Sequence, residues 1–372
     1  MPGGNAITTV VCDASRSGAG MASVALTVHR FLESRLDADI VVGVVPELPV
    51  QNMHVVGAKG SGFPGLPRNS MGEVVHIHGL WTPFEWRAYR EGRARGARLV
   101  ISPHGSLEPW ALGHKRVKKL AAWMLYQKRI LQRADLLVAS TSFERDNFRN
   151  LGLTAPIAVI PVGVDTSDRP AEVVETDMTD REKIVLFLAR LSPKKGIPDL
   201  LQAWSMIDRR GYGLHIHGYG PDSYRAYLEK RIAALKIGTH VKLLGPLYGE
   251  EKWRKLQSSS IYVLPSYSEN FGITIAEALL SGLPVITSKA TPWDELSSRG
   301  IGWIVDNDVP QLRNALHRAV STDLSRLRSM RNQARDYAQK YLWPPIADLY
   351  VDTYKWVSDP AVDKPDWVTL AI

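Results

Sequence analysis

Short apolar runs recur along the chain, separated by stretches whose apolar positions return every three to four residues. Residues 7–12, 40–45, 74–77, 99–102, 136–139 and 158–162 are runs of the first kind. Being continuous rather than alternating, they predict strands buried on both faces. Residues 21–36 and 117–132 carry the helical spacing. Strand and helix in alternation predict a parallel sheet covered by helices on both sides. A second series of strands is predicted at 184–189, 214–217, 241–243, 261–264, 285–287 and 303–305, again with helices between. The two series are separated by TSDRPAEVVETDMTDR, which is polar, acidic and aperiodic, as a linker is.

The expected organisation is therefore a first α/β domain over 1–165, a linker over 166–182, a second α/β domain over 183–340 and a closing segment over 341–372. Trp343, Tyr350, Tyr354 and Trp356 stand at helix-like spacing in that segment, which predicts a helix packing back toward the first domain. A chain of 372 residues exceeds what one core comfortably serves, which agrees with two domains. Two doubly wound sheets are expected to face each other across a cleft, with ligands at the carboxyl ends of the strands.

Hydrophobic residues make up 45% and charged residues 23% of the chain, the composition of a folded globular protein. Its one cysteine, Cys12, cannot form an internal disulfide, which fits a reducing compartment. No signal peptide and no bilayer-length apolar run is read in the sequence, so a cytoplasmic location is expected. Net charge is +8, which favours a polyanionic partner: nucleic acid, an anionic membrane or a diphosphate. The charge is uneven. Residues 114–133 hold Lys115, Arg116, Lys118, Lys119, Lys128, Arg129 and Arg133 with no acid, interleaved with Leu120, Trp123, Met124, Leu125 and Tyr126. That pattern fits an interfacial helix on anionic lipid, and equally a domain helix with a basic solvent face. Peripheral contact at the inner face of the plasma membrane is the expectation taken forward.

Two constellations carry candidate chemistry. In the first, a predicted strand runs into Ser268-Glu269-Asn270-Phe271-Gly272-Ile273-Thr274, followed by a helix containing Glu277. A helix start offers unpaired N–H groups to a phosphate, Gly272 permits close backbone approach, and Glu269 and Glu277 each accept hydrogen bonds from hydroxyls. As bare residues, the pattern also fits a capped helix whose surface Glu sits in a Glu–Lys pair. In the second, Arg190 and Lys195 follow the first strand of the second domain. Two fixed cations there suit a leaving diphosphate, and a solvated basic loop fits them as well.

Taken together, Arg190, Lys195 and the Glu269-x7-Glu277 block resemble the signature of glycosyltransferase family 4. Ser102-Pro103-His104-Gly105-Ser106-Leu107-Glu108-Pro109-Trp110 resembles a segment of its bacterial members. Ile160-Pro161-Val162-Gly163-Val164-Asp165 is similar to the family's IPNGVD, with Val162 in place of Asn, and Gly218-Tyr219-Gly220-Pro221 to its GxGP turn. The resemblance runs from about Val10 to Tyr354. It implies a GT-B fold and transfer of a sugar, with retention of configuration, from a nucleoside-diphosphate sugar to a hydroxyl. Arg190 and Lys195 would hold the diphosphate, Glu277 the ribose, and Glu269 with Asn270, Phe271 and Gly272 the transferred sugar. Ile273 and Thr274 at the helix start and Gly218 and Gly220 of the GxGP turn belong to the same donor set. His104 would touch the sugar from the first domain. The turn Ser15-Arg16-Ser17-Gly18-Ala19-Gly20 is expected to approach a phosphate or the acceptor through Gly18 and Gly20; it lacks the family's usual Gly-Gly pair.

The 102–110 segment resembles that of polysaccharide mannosyltransferases, so a GDP-sugar is favoured over a UDP-sugar and the acceptor is expected to be a glycan or lipid-linked glycan, in surface polysaccharide or lipopolysaccharide O-antigen synthesis. His76-Ile77-His78 and His215-Ile216-His217 place histidines on one strand face without a nearby Cys or Asp, so no zinc site is expected, and His78 is a candidate to line the acceptor side. Asp37-Ala38-Asp39 and Asp306-Asn307-Asp308 read as turns, so neither a metal nor another cofactor is expected. The competing readings are a GT-B nucleotide-sugar epimerase or hydrolase, and a basic nucleic-acid-binding protein. The second needs cations clustered with exposed aromatics on one surface, and nucleic acid is not the expected partner.

Overall fold

A computed structural model describes residues 6–15, 19–44, 46, 50–55, 74–170 and 182–371. The chain divides into two compact units: Met1–Gly163 with Trp343–Ile372, and Val164–Leu342. The first stretch carries β1 Ile7–Asp13, α1 Ala19–Glu33, β2 Ala38–Val44, β3 Met53–Val55, β4 Val74–His78, α2 Pro83–Ala94, β5 Arg98–Ser102, α3 Pro109–Gly113, α4 Arg116–Ala122, α5 Lys128–Gln132, β6 Leu136–Ala139, α6 Ser142–Asn150 and β7 Ile157–Val159. The second unit carries β8 Ile184–Leu188, α7 Ile197–Ser205, β9 Gly213–His217, α8 Asp222–Ala234, β10 Val241–Leu244, α9 Gly249–Ser258, β11 Ile261–Leu264, α10 Ile273–Leu280, β12 Val285–Ser288, β13 Gly302–Val305, α11 Val309–Val320 and α12 Leu324–Ala338. The chain then returns to the first unit with α13 Trp343–Ser358 and β14 Val368–Thr369.

The sheet of the first unit runs β14-β7-β6-β5-β4-β1-β2-β3, parallel throughout except for β14, which pairs antiparallel to β7. Both faces are buried. Neighbouring residues of β1 serve different cores: Val10 packs with Ile77, Ile101, Leu137 and Phe148, and Val11 with Ala25, Ile40 and Val42. This is why the strands read as unbroken apolar runs. β3 and β14, which the sequence pattern does not mark, are edge strands of three and two residues. α13 packs on α1 and β4. Phe31 stacks on Trp343 with ring centres 5.6 Å apart, and Gly163 leaves room for that indole, which a Cβ would meet at 2.5 Å.

The sheet of the second unit runs β10-β9-β8-β11-β12-β13, all parallel. β8, with the sequence IVLFL, is buried at every position. Strand order reverses between β8 and β11, and in open α/β sheets ligands bind at such a reversal point, beyond the carboxyl ends of the strands. Of the linker expected over 166–182, residues 171–181 lie outside the described residues.

Candidate active site

At the reversal point of the second unit, two loops are drawn together. The loop leaving β8 turns through Gly196, at φ 68°, where a Cβ would stand 2.2 Å from the carbonyl oxygen of Pro265 in the loop leaving β11. The Tyr267 N–H donates to the Lys194 carbonyl at 2.8 Å. This close seating carries Lys195 to Glu269: the ammonium donates to the Glu269 carboxylate, which also accepts from the Ser266 hydroxyl at 2.8 Å. Glu269 is buried. Burial pushes its carboxyl up, but the ion pair with Lys195 and the Ser266 bond outweigh this and hold it below the ordinary value. Arg190, in the same loop as Lys195, is exposed.

α10 begins at Gly272, which lies at φ 77° and brings no side chain to cap the first turn. The N–H groups at Ile273 and Thr274 thus open a positive helix end beside the Lys195–Glu269 pair. The Phe271 carbonyl is fixed by the Trp293 indole N–H at 2.6 Å, and the Tyr262 hydroxyl bridges the Leu188 carbonyl (2.9 Å) and the Thr274 hydroxyl (2.7 Å). Asn270 lies in the loop between Glu269 and this helix start. One turn further on, Glu277 is buried and accepts from Lys252 of α9 at 2.6 Å. Its other oxygen, Oε2, is buried with no hydrogen-bond partner among the described residues. The Glu–Lys pair that a bland reading supplies is therefore present, yet it uses only one carboxylate oxygen and leaves an acceptor for a ligand hydroxyl.

Gly218 and Gly220 act on the protein's own backbone. A Cβ on Gly218 would stand 2.0 Å from the Ala189 carbonyl oxygen, and one on Gly220 2.3 Å from that of Leu191. The turn after β9 thus packs on the residues either side of Arg190 and sets that loop's path. Gly20 lies in the first turn of α1, where a Cβ would meet nothing within 4 Å, and Gly18 lies outside the described residues.

His104 belongs to the first unit, among three histidines at the ends of β4 and β5. It stands at φ 51°, unusual for a residue with a side chain. Its Nε2 lies 2.8 Å from Nδ1 of His78, with the rings stacked at 13°. His76 bonds the Tyr354 hydroxyl of α13 and the Ser102 hydroxyl, both at 2.7 Å. Burial holds the His76 imidazole down to about 3 and that of His104 down to about 4, so both are neutral at pH 7. The turn after His104 is pinned by Glu144, which accepts from the N–H groups of Gly105 and Ser140 at 2.7 Å each. Burial pushes the Glu144 carboxyl up to about 7.

The other candidate motifs have local partners. Asp39 pairs with His54 at 2.9 Å, Asp306 pairs with Lys289, and Asp308 caps α11 through the Gln311 N–H at 2.8 Å. His217 bonds the Gly245 carbonyl at 3.0 Å. Among the described residues no three His, Cys, Asp or Glu side chains gather as a metal-ligand set. The basic segment runs as one helical stretch from Arg116 to Gln132, in which α4 passes into α5 through a π-helical turn at Trp123–Gln127; Lys115, just before it, stands at φ 53°. Trp123 and Tyr126 pack inward on the core, while Val117, Met124 and Leu125 are 82%, 71% and 80% exposed.

Lys252, His78 and Glu144 complete these arrangements without belonging to any motif that singled them out as partners. Lys252 shows in the sequence only as one of several cations of an amphipathic helix. The bond from His78 to His104 depends on β4 and β5 being neighbours, which spacing does not tell.

Comparison with known proteins bears on the family and the fold. Residues 168–341 match the family model of glycosyl transferases group 1, and residues 72–168 that of glycosyltransferase family 4. An uncharacterized glycosyltransferase of Methanocaldococcus jannaschii is 31% identical over 179 residues, 47% of this chain and 45% of that protein. The chain thus spans less than half of that relative. A D-inositol 3-phosphate glycosyltransferase of Segniliparus rotundus is 23% identical over 313 residues, 78% of this chain and 69% of the relative. The crystal structure of HepE from Anabaena in complex with UDP and glucose aligns over 94% of this chain and 99% of its own, with a TM-score of 0.74 at 18% identity. The two α/β units are those of a GT-B glycosyltransferase. Within that class the chain belongs to glycosyltransferase family 4.

Proposed function

We propose that the protein transfers a hexose from a nucleoside-diphosphate sugar to a hydroxyl of a glycan or lipid-linked acceptor, with retention of configuration. The observation that carries this reading is the cluster at the reversal point of the second unit. Lys195 and the exposed Arg190 supply cations, α10 supplies an uncapped helix start, Glu269 a carboxylate and Glu277 an acceptor oxygen. Phosphate, sugar and ribose each find a group of matching chemistry there.

In the proposed reaction the bond from the anomeric carbon to the diphosphate oxygen breaks, and a bond from the same carbon to the acceptor oxygen forms on the same face. The departing diphosphate takes the acceptor's proton, and Arg190 and Lys195 balance its charge. Catalysis is then positioning and charge stabilisation, with no covalent enzyme intermediate and no metal. His104 is the first unit's proposed contribution to the transferred sugar.

A GDP-hexose, mannose or a related sugar, is the donor favoured by the resemblance of residues 102–110 to polysaccharide mannosyltransferases; the UDP held by HepE makes UDP the rival to test. A lipid-linked acceptor, and with it surface polysaccharide or O-antigen synthesis, is supported by the exposed Val117, Met124 and Leu125 among the cations of 115–129. Thermal-shift measurements with millimolar GDP, UDP and ADP test the donor reading, because a ligand of the folded state raises its stability by mass action. A ligand at 100 times its Kd adds about 2.7 kcal/mol. If none of the three diphosphates raises the melting temperature, the donor reading fails.

A further inference from the structure

A hollow of about 450 Å³ opens in the second unit, lined by Pro193, Pro198, Asp199, Tyr224, Tyr227 and Tyr267. Its position follows from the topology. β8, β9 and β10 step one way across the sheet and β11, β12 and β13 the other. Right-handed crossovers therefore put α7 and α8 on one face and α9 and α10 on the opposite one. Glu277 and Lys252 bond each other on the α9–α10 face, whereas the hollow lies between the first turns of α7 and α8. It is still close to the proposed donor loops in sequence. Pro193 precedes Lys195 by two residues, Tyr267 precedes Glu269 by two, and the Tyr267 N–H is bonded to the Lys194 carbonyl.

The lining selects a ligand chemistry. Tyr224 and Tyr227 stack with ring centres 5.8 Å apart and planes 26° apart, while Tyr227 and Tyr267 are 47% and 44% exposed. These rings offer flat apolar surface. Polar groups accompany it: the Tyr267 hydroxyl donates to the Asp199 carboxylate, and the Tyr224 hydroxyl is buried without a partner among the described residues. A purely apolar ligand would leave that hydroxyl stranded. An anion would face Asp199 with no cation in the lining to offset it. A ring with one apolar face and hydroxyls at its edge satisfies both.

We infer that this tyrosine-lined hollow is a binding subsite for a pyranose unit of an uncharged glycan. The inference rests on the proposed glycan acceptor, but its test needs neither donor nor turnover. Asp199 and the Tyr224 hydroxyl hydrogen-bond the sugar's hydroxyls, and the faces of Tyr227 and Tyr267 cover its C–H surface. The site holds a sugar residue of the acceptor beyond the one that reacts.

Affinity electrophoresis through native gels containing mannan, dextran or amylose tests it on the intact protein. At least one of the three should retard the wild-type protein. Tyr227→Ala and Tyr267→Ala should each weaken that retention about tenfold, and Asp199→Asn or Tyr224→Phe severalfold. The nucleoside-diphosphate thermal shift should remain in all four variants, which certifies their folding and separates this site from the donor site. No retardation in any of the gels overturns the inference. So does retention that is unchanged in the two alanine variants, and so does retention abolished by free GDP or UDP, which would make the hollow a base pocket.

Discussion

Glu269 and Glu277 share one loop-and-helix segment but stand in different electrostatic settings, and they should fail differently. Glu269 is buried against Lys195, the cation proposed to hold the diphosphate. Glu269→Gln removes the negative partner and leaves Lys195 free to meet phosphate. It should therefore lower kcat by about 10²–10³, the range for losing one preorganised electrostatic contact, while the nucleoside-diphosphate Kd stays level or falls. Glu277→Gln disturbs the group facing the ribose and releases Lys252, so the same Kd should rise severalfold. Calorimetric titration with the bare diphosphate, beside steady-state kinetics, separates the two. Equal loss of nucleotide binding in both variants would show the segment acting as one structural piece. The histidines of the first unit give a second prediction at this scale. His76 stays neutral in the fold down to about 3, against an ordinary value of 6.5. Between these values the unfolded chain binds a proton that the folded one refuses. Stability is thus whole above about pH 6.5 and falls by about 1.4 kcal/mol per unit, per such histidine, as pH drops. His104 has the same sign, with its lower limit near 4, and Glu144, raised to about 7, has the opposite sign, its contribution fading as pH rises through 7. The histidines outnumber it, so denaturant midpoints should fall from pH 6.5 to pH 4.5. His76→Asn should flatten that slope; an unchanged slope would clear His76 of the effect.

At the scale of elements, the segment from α4 to α5 carries its own prediction. In it Trp123 and Tyr126 pack on the core while Val117, Met124 and Leu125 face outward among cations. Changing Lys115, Arg116, Lys118 and Lys119 to Gln should weaken binding to anionic liposomes, since each cation near such a surface contributes about 1 kcal/mol. A quadruple variant that floats with liposomes as wild type does would reduce the segment to a basic domain face. The same segment shows what helical spacing reads and what it leaves out. Helical spacing predicts one helix over 117–132, and the backbone is helical from Arg116 to Gln132; periodicity does not show the π-helical turn at Trp123–Gln127 inside it. The long central strands are legible because burial on both faces writes itself as uninterrupted Val, Ile and Leu. β3 and β14 are not, because edge strands of two or three residues draw their pairing from the neighbour and not from their own composition. Of the candidate site, Arg190, Lys195, Glu269 and Glu277 are singled out by their resemblance to the family 4 signature; as bare residues they read equally as a basic loop and a capped helix. Lys252, which occupies one Glu277 oxygen, comes from another helix and leaves no local mark. The glycines after β9 are legible as a motif, but the fold gives them a packing role against Ala189 and Leu191.

For the whole molecule, the decisive feature is that the first unit is discontinuous: residues 343–372 complete a sheet begun at Ile7. α13 buries Trp343, Ile346, Ala347, Tyr350, Tyr354 and Val357, and Tyr354 supplies the hydroxyl bonded to His76. Burying large apolar side chains contributes about 1.5–3 kcal/mol each, so these residues together match the whole stability of an ordinary domain, about 5–15 kcal/mol. β14 also pairs with β7, which otherwise presents an open edge. The second unit draws on none of these contacts, because its core closes within Val164–Leu342. A chain ending at Leu342 should therefore lose the first unit and keep the second. Hydrogen exchange reads both at once. Amides of β1, β4 and β5 should exchange near the rate of an unfolded chain, while those of β8, β11 and β12 stay protected. The nucleoside-diphosphate thermal shift, carried by the second unit, should persist in the truncated protein. Protection retained in β4 would show that α13 decorates the first unit without holding it together. Protection lost equally from β4 and β11 would show that the two units fold as one cooperative body.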